Sequence, residues 1–179
     1  MNGLMIGCRF VVLGAVLWLT SCTFQSNQFD MLASALSPKH DELAAYRWRV
    51  EFDGYRADVL ATTTPDGTLF VNGDDDLIAF DGWLVTEVLG LGLTSVITVQ
   101  GRVGERLTHK DSRQVGSQEC EEWRLMQEGL HVIHEQYCVG TERFENRIIV
   151  DSSGLIIKIE QYMGLNALGK KTAIILTKL

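Results

Sequence analysis

The sequence contains no apolar run long enough to cross a bilayer as a helix. The run near its start, Phe10–Leu19, is ten residues long, against the roughly twenty that a spanning helix needs. A surplus of basic charge is also lacking. The chain has 16 Lys and Arg against 23 Asp and Glu, a formal charge of −7. That balance excludes the electrostatic footprint of a nucleic-acid partner, and it leaves no basic patch for anionic lipid. Gly-x-Ser-x-Gly, His-Glu-x-x-His and phosphate-loop motifs are absent, so no catalytic residue is nominated by motif. Gly90-Leu91-Gly92 has no strand–turn–helix setting for a nucleotide fingerprint. Strands do not alternate with helical segments, which argues against a doubly wound fold. There is no low-complexity stretch and no repeat of fixed period.

What is present begins at the N-terminus. Arg9, the apolar run and the small residues that follow have the anatomy of a secretory signal peptide. Leu19-Thr20-Ser21-Cys22 resembles the lipobox of bacterial lipoproteins. The resemblance implies cleavage before Cys22, diacylation of its thiol and acylation of the new amino terminus. Several acyl chains hold a protein stably to a membrane, since each buried CH₂ contributes ~0.8 kcal/mol. The alternative is an ordinary secreted protein in which Cys22 is incidental. Thr23 follows the cysteine where an aspartate would signal inner-membrane retention, so likeness to enterobacterial lipoproteins implies the outer membrane. Residues 1–21 carry one basic residue and no acidic one. Without them the chain has 158 residues and a formal charge of −8, from 15 basic and 23 acidic residues.

The expected organisation is a signal peptide over 1–21, a lipidated tether over 22–27 and a single β-rich periplasmic domain over 28–179. One or two short helices lead into that domain. The first has Ser26 or Asn27 as its cap and Phe29, Leu32 and Leu36 on one face. The second starts at Ser37-Pro38 and ends near Tyr46. From Tyr46 the period becomes two, with Tyr46, Trp48, Val50 and Phe52 alternating with Arg47, Arg49, Glu51 and Asp53. Turn signals at Asp53-Gly54, Pro65-Asp66-Gly67, Asn72-Gly73 and Asp81-Gly82 punctuate further strands. The second half repeats this grammar, with strands over 95–99, 103–108, 121–127, 130–139, 144–150, 155–162 and 172–177. About ten short strands imply a mainly β fold, an antiparallel sheet curled into a barrel-like domain.

Cys8 leaves with the signal peptide and Cys22 takes lipid, so Cys120 and Cys138 remain as an even pair in an oxidising compartment. If the hairpin between them centres on Gly129, residue i faces residue 258 − i and the two cysteines stand opposite one another. Trp123, Leu125, Ile133 and Tyr137 would then share one face, and Cys120, Glu122, Arg124, His134, Gln136 and Cys138 a mainly polar other face. Facing Cβ atoms ~4.5–5.5 Å apart come within disulfide reach on local closing. A two-residue loop would change the parity and part the sulfurs. The expectation is a structural disulfide, with two buried free thiols as the alternative.

No metal or cofactor is called for. His131 and His134 are three apart on a strand and point to opposite faces. Asp74-Asp75-Asp76 is too short a run for a calcium loop and reads as a solvated turn. Trp48, Trp83, Trp123 and Tyr162 could make a glycan- or lipid-binding platform, but each falls in an alternating strand and fits the core better.

Three stretches carry a family likeness. They are Leu43–Val50, Asp81–Leu91 with its "GL" step, and Phe144–Asp151 followed by Gly154–Lys158 and Gln161. In order and spacing the chain resembles the YjbF/GfcB family of lipoproteins associated with group 4 capsule and exopolysaccharide operons. It departs at Leu69-Phe70-Val71, where a tryptophan is expected. The resemblance implies a barrel-like β fold with flanking helices and a non-enzymatic part in surface polysaccharide production or export. Its partners would be the membrane, through Cys22, and envelope polysaccharide-export proteins. The rival readings are a half-barrel carrier of an apolar ligand, and an enzyme whose pocket gathers Asp58, Asp81 or His134.

Overall fold

The computed structural model describes residues 46–165 and 171–179, all within one compact unit, His40–Leu179. Cys22, the signal segment and the expected helices fall outside the described residues. Thirteen strands follow one another: β1 Arg47–Phe52, β2 Tyr55–Thr64, β3 Gly67–Val71, β4 Leu77–Phe80, β5 Val85–Leu89, β6 Ile97–Gln100, β7 Gly104–Lys110, β8 Arg113–Cys120, β9 Arg124–Glu128, β10 His131–Val139, β11 Arg143–Val150, β12 Ile156–Leu165 and β13 Lys171–Lys178.

Every pairing is antiparallel, and most join neighbours in sequence. Four pairings turn the sheet into a ring. β13 returns to β1, β11 pairs with both β10 and β12, and β8 pairs with β10. The result is a closed barrel of twelve strands, with β9 as a thirteenth strand lying outside the ring beside β10. Closure removes the open edges that a sheet this size would otherwise expose.

The alternation read from the sequence gives the barrel its inside and outside. On β1, Trp48, Val50 and Phe52 are buried and Arg47, Arg49 and Glu51 are not. Across the ladders Val50 meets Ala57 and Leu176, and Trp48 meets Val59. With Phe70, Ile78, Val88, Ile159 and Ile174 they form one continuous core. Each fully buried side chain of this size contributes roughly 1.5–3 kcal/mol. The outer wall carries ion pairs instead: Arg47 and Arg49 with Asp58, Arg56 with Glu51 and Lys158 with Glu160. A barrel that spans a membrane presents an apolar band outward and polar residues inward. On β1 the polarity is the reverse, with charge outward and apolar residues inward.

The barrel is flattened. β12 and β5 stand six places apart in the ring, diametrically opposed, yet they are hydrogen-bonded through a side chain. Val85 N–H donates to Gln161 Oε1 at 2.7 Å, and Gln161 Nε2 donates back to Val85 O at 2.9 Å. Opposite walls therefore touch through the middle, and at this level side chains close the interior.

Two expectations about the cysteine hairpin are corrected. The register between β9 and β10 pairs Glu128 with His131 and Arg124 with Glu135, so the loop is the two-residue Gly129-Leu130. Leu125 therefore faces His134, and Met126 faces Ile133. The sulfurs nevertheless meet, because Cys120 pairs with Cys138 in the other register. Three residues, Glu121–Trp123, oppose the two residues Gln136 and Tyr137. This bulge absorbs the change of parity. The polar face foreseen on β10 is the inward one, where Gln136 is buried.

Candidate functional site

Two groups of residues inside the barrel carry its chemistry. The first is a buried polar lattice around the disulfide. Cys120 and Cys138 are bonded, with Cα atoms 4.1 Å apart, and they pack against Phe144 and Tyr162. β8 and β10 share only two register pairs, so the disulfide lies on one of the shortest seams of the ring. Beside it Arg106 is fully buried. Its guanidinium donates to Gly101 O at 3.1 Å, Arg102 O at 3.3 Å and Gln136 Oε1 at 2.5 Å. Burial lowers its pKa to about 10, against an opposing pull from Asp81. Gln136 Nε2 donates to Arg102 O at 2.6 Å and to Glu121 O at 2.8 Å, which ties down a carbonyl freed by the bulge. Asn146 Oδ1 accepts from Tyr162 N–H at 2.9 Å, next to the irregularity between Tyr162 and Gly164. The lattice thus satisfies backbone groups where the ladders break.

The second group lines a cavity of about 320 Å³ near the turns β1–β2 and β7–β8. Phe52, Leu93, Ile97 and Met163 supply apolar wall; Thr108 and Gln118 supply polar groups, and Lys110 and Val115 stand toward its rim. Gln118 faces Arg106 across the β7–β8 ladder. Gln118 Oε1 and Arg106 Nη1 are both buried and unbonded among the described residues. Apolar walls with a few fixed polar groups are the ordinary make-up of a small-molecule site, and the volume is at the lower end for one.

A neighbouring loop shapes the same end of the barrel. Asp76 is buried; its Oδ2 accepts from Tyr55 O–H at 2.6 Å and Asn72 Nδ2 at 2.7 Å, and its Oδ1 from Leu91 N–H at 2.6 Å. The hydrogen bond to Asp76, with burial, raises the Tyr55 pKa. The aspartate run is therefore not a wholly solvated turn. Asp76 serves as a structural pin that docks the β5–β6 loop against the β3–β4 turn.

Other expectations find their places. His131 is exposed and His134 is half-buried against Trp83, ring centroids 5.2 Å apart. Trp48 packs edge-on to Phe70, Tyr162 stacks on Phe144, and Trp83 lies 5.5 Å from Trp123. Trp48 and Tyr162 are buried on strands, as the core reading has it, whereas Trp83 and Trp123, expected on strands, lie in the β4–β5 turn and the bulge before β9 and are half-buried. Asp58 is held on the outer wall by two arginines, while Asp81 caps its own turn and pairs with Arg102. Asp58, Asp81 and His134 thus stand on separate elements with separate partners. Among the described residues no cluster of three His, Cys, Asp or Glu could hold a metal. No helix there is long and apolar enough to cross a membrane.

Sequence reasoning missed Arg106, Thr108, Gln118 and Asn146. The available signal was a polar residue at an inward parity, and it could be read only once the strands had partners. Comparison with protein families, with curated proteins and with solved structures finds no match to this chain.

Proposed function

We propose that this chain is a lipid-anchored protein of the outer membrane, facing the periplasm, that assists capsule or exopolysaccharide production or export without catalysing a reaction. Cys22 carries the lipid, and the barrel meets envelope polysaccharide-export proteins through its charged outer wall. The Cys120–Cys138 disulfide is the observation that supports this address, because a protein disulfide of this kind persists in an oxidising compartment. The water-facing outer wall supports it too, since such a barrel needs a separate anchor to stay at a membrane. The family likeness supplies the polysaccharide role. Deleting the gene is expected to lower surface polysaccharide. The wild-type chain should restore it, and Cys22→Ala should not. Unchanged polysaccharide in the deletion strain would contradict the role.

A second reading, a carrier of a small apolar ligand, is favoured by the cavity between Phe52, Ile97 and Met163. A fluorescent fatty acid should then bind the wild-type chain, and Ile97→Trp, which fills the cavity, should abolish that binding. Equal binding by both would remove this reading.

A further inference from the structure

β9 stands apart from the other strands. All five of its residues, Arg124-Leu125-Met126-Gln127-Glu128, are exposed. Among the described residues it pairs on one side alone, with β10. In a two-residue hairpin the residues flanking the loop exchange hydrogen bonds, and the bonded pairs then alternate along the ladder. Glu128, Met126 and Arg124 therefore bond to β10, while the amides and carbonyls of Leu125 and Gln127 point to the open edge. That edge has neither proline nor lysine, its charges are Arg124 and Glu128, and its ladder to β10 is unbroken after the bulge at Glu121–Trp123. Leu125 is 69% exposed and Leu130, at the hairpin tip, 78%.

The sequence of the strand reads as its own complement. Place a second β9 antiparallel to the first, with the two Met126 residues facing one another. Leu125 then pairs with Gln127 of the partner subunit, and these are the residues whose backbone groups face outward. Arg124 meets Glu128 of the partner subunit on the same face, and symmetry repeats the pair. We propose that β9 is the docking edge for a second copy of this chain, in an antiparallel strand pair centred on Met126. Such a contact is isologous and closes on itself, so it yields a dimer and not a fibre. The charge pattern selects the register, since a shift by one residue loses both ion pairs and turns the side chains to opposite faces.

The test uses the protein purified from membranes in detergent with a mild thiol oxidant; Cys120 and Cys138 are bonded to each other, and the parent chain gives the background. Met126→Cys places two thiols opposite each other at the symmetry axis and is expected to cross-link into a covalent dimer. Leu130→Cys, more exposed (78% against 40% at Met126) but away from the axis, is expected to stay at background. Arg124→Glu sets like charges opposite each other twice and should weaken association about tenfold. Adding Glu128→Arg to it should restore association. Both side chains are exposed, but Arg124 also bonds Glu121 and lies over the Tyr137 ring, and Glu128 lies 3.9 Å from Arg147, so the urea midpoint of each variant is measured to show that the fold is retained. Equal cross-linking at positions 126 and 130, none at 126, or no rescue by the double reversal would overturn the proposal. A monomeric chain whose β9 captures a strand of another protein would overturn it as well.

Discussion

At Gly90 a single hydrogen separates a formed loop from a clash. Its φ is +77°, and an added Cβ would lie 2.4 Å from Asp76 Oδ1 and 2.9 Å from Asp76 Cα. The left-handed conformation and the collision act together on the pin that docks the β5–β6 loop. Gly90→Ala is expected to destabilise by about 2–4 kcal/mol, while Gly129→Ala, also at positive φ but with open space around it, should cost about 1–2. Urea midpoints of the two variants check the order. Asp151 offers a pH-dependent counterpart. Its Oδ1 accepts from Ser153 Oγ at 2.6 Å, Ser153 N–H at 2.8 Å and Leu155 N–H at 3.0 Å. These bonds, the Ser153 hydroxyl first, hold its pKa below the ordinary 3.8. A depressed carboxylate stabilises the fold above its unfolded pKa, and that contribution is lost as pH falls through the folded one. Asp151→Asn should therefore lose less stability than the wild type between pH 5 and pH 2, measured as the change in urea midpoint. An equal loss would mean the turn does not favour the charged form.

At the scale of elements, most strands were legible because their inward residues are apolar and their turns carry Asp-Gly or Asn-Gly. β8 was not legible, and the physical reasons are specific. Its inward positions hold Gly116 and Gln118, so it shows no apolar alternation. Its turn is Asp111-Ser112, with φ of 49° and 66° and no glycine to mark it. The bulge at Glu121–Trp123 was hidden for a related reason. Cysteine pairing and loop length taken together demanded one register, whereas the chain uses two. Ring closure by β13 on β1 depends on contacts between strands more than a hundred residues apart in sequence, which no local pattern encodes. The disulfide matters here because it staples a seam of two register pairs. It closes a loop of 18 residues in sequence, for which the chain-entropy estimate is roughly 3 kcal/mol. The double variant Cys120→Ser, Cys138→Ser should melt about 6–12 °C lower. An unchanged melting temperature would show that the lattice of Arg106, Gln136 and Asn146 holds the seam without covalent help.

For the molecule as a whole, the barrel's polarity connects fold to address. On β1 charged residues face outward and apolar residues inward, the reverse of a lipid-facing strand, and the proposed membrane address rests on Cys22. The cavity, the polar lattice and the outer wall were only partly readable beforehand, because inward and outward are properties of the closed ring and not of any one strand. The most direct test of the anchored envelope barrel is the intact mass of the protein purified from membranes. The expected mass is that of residues 22–179, two hydrogens lighter for one disulfide, with a diacylglyceryl group on the Cys22 sulfur and an acyl group on its amine. A chain that keeps residues 1–21, or one that begins elsewhere with Cys22 as a free thiol, would contradict it.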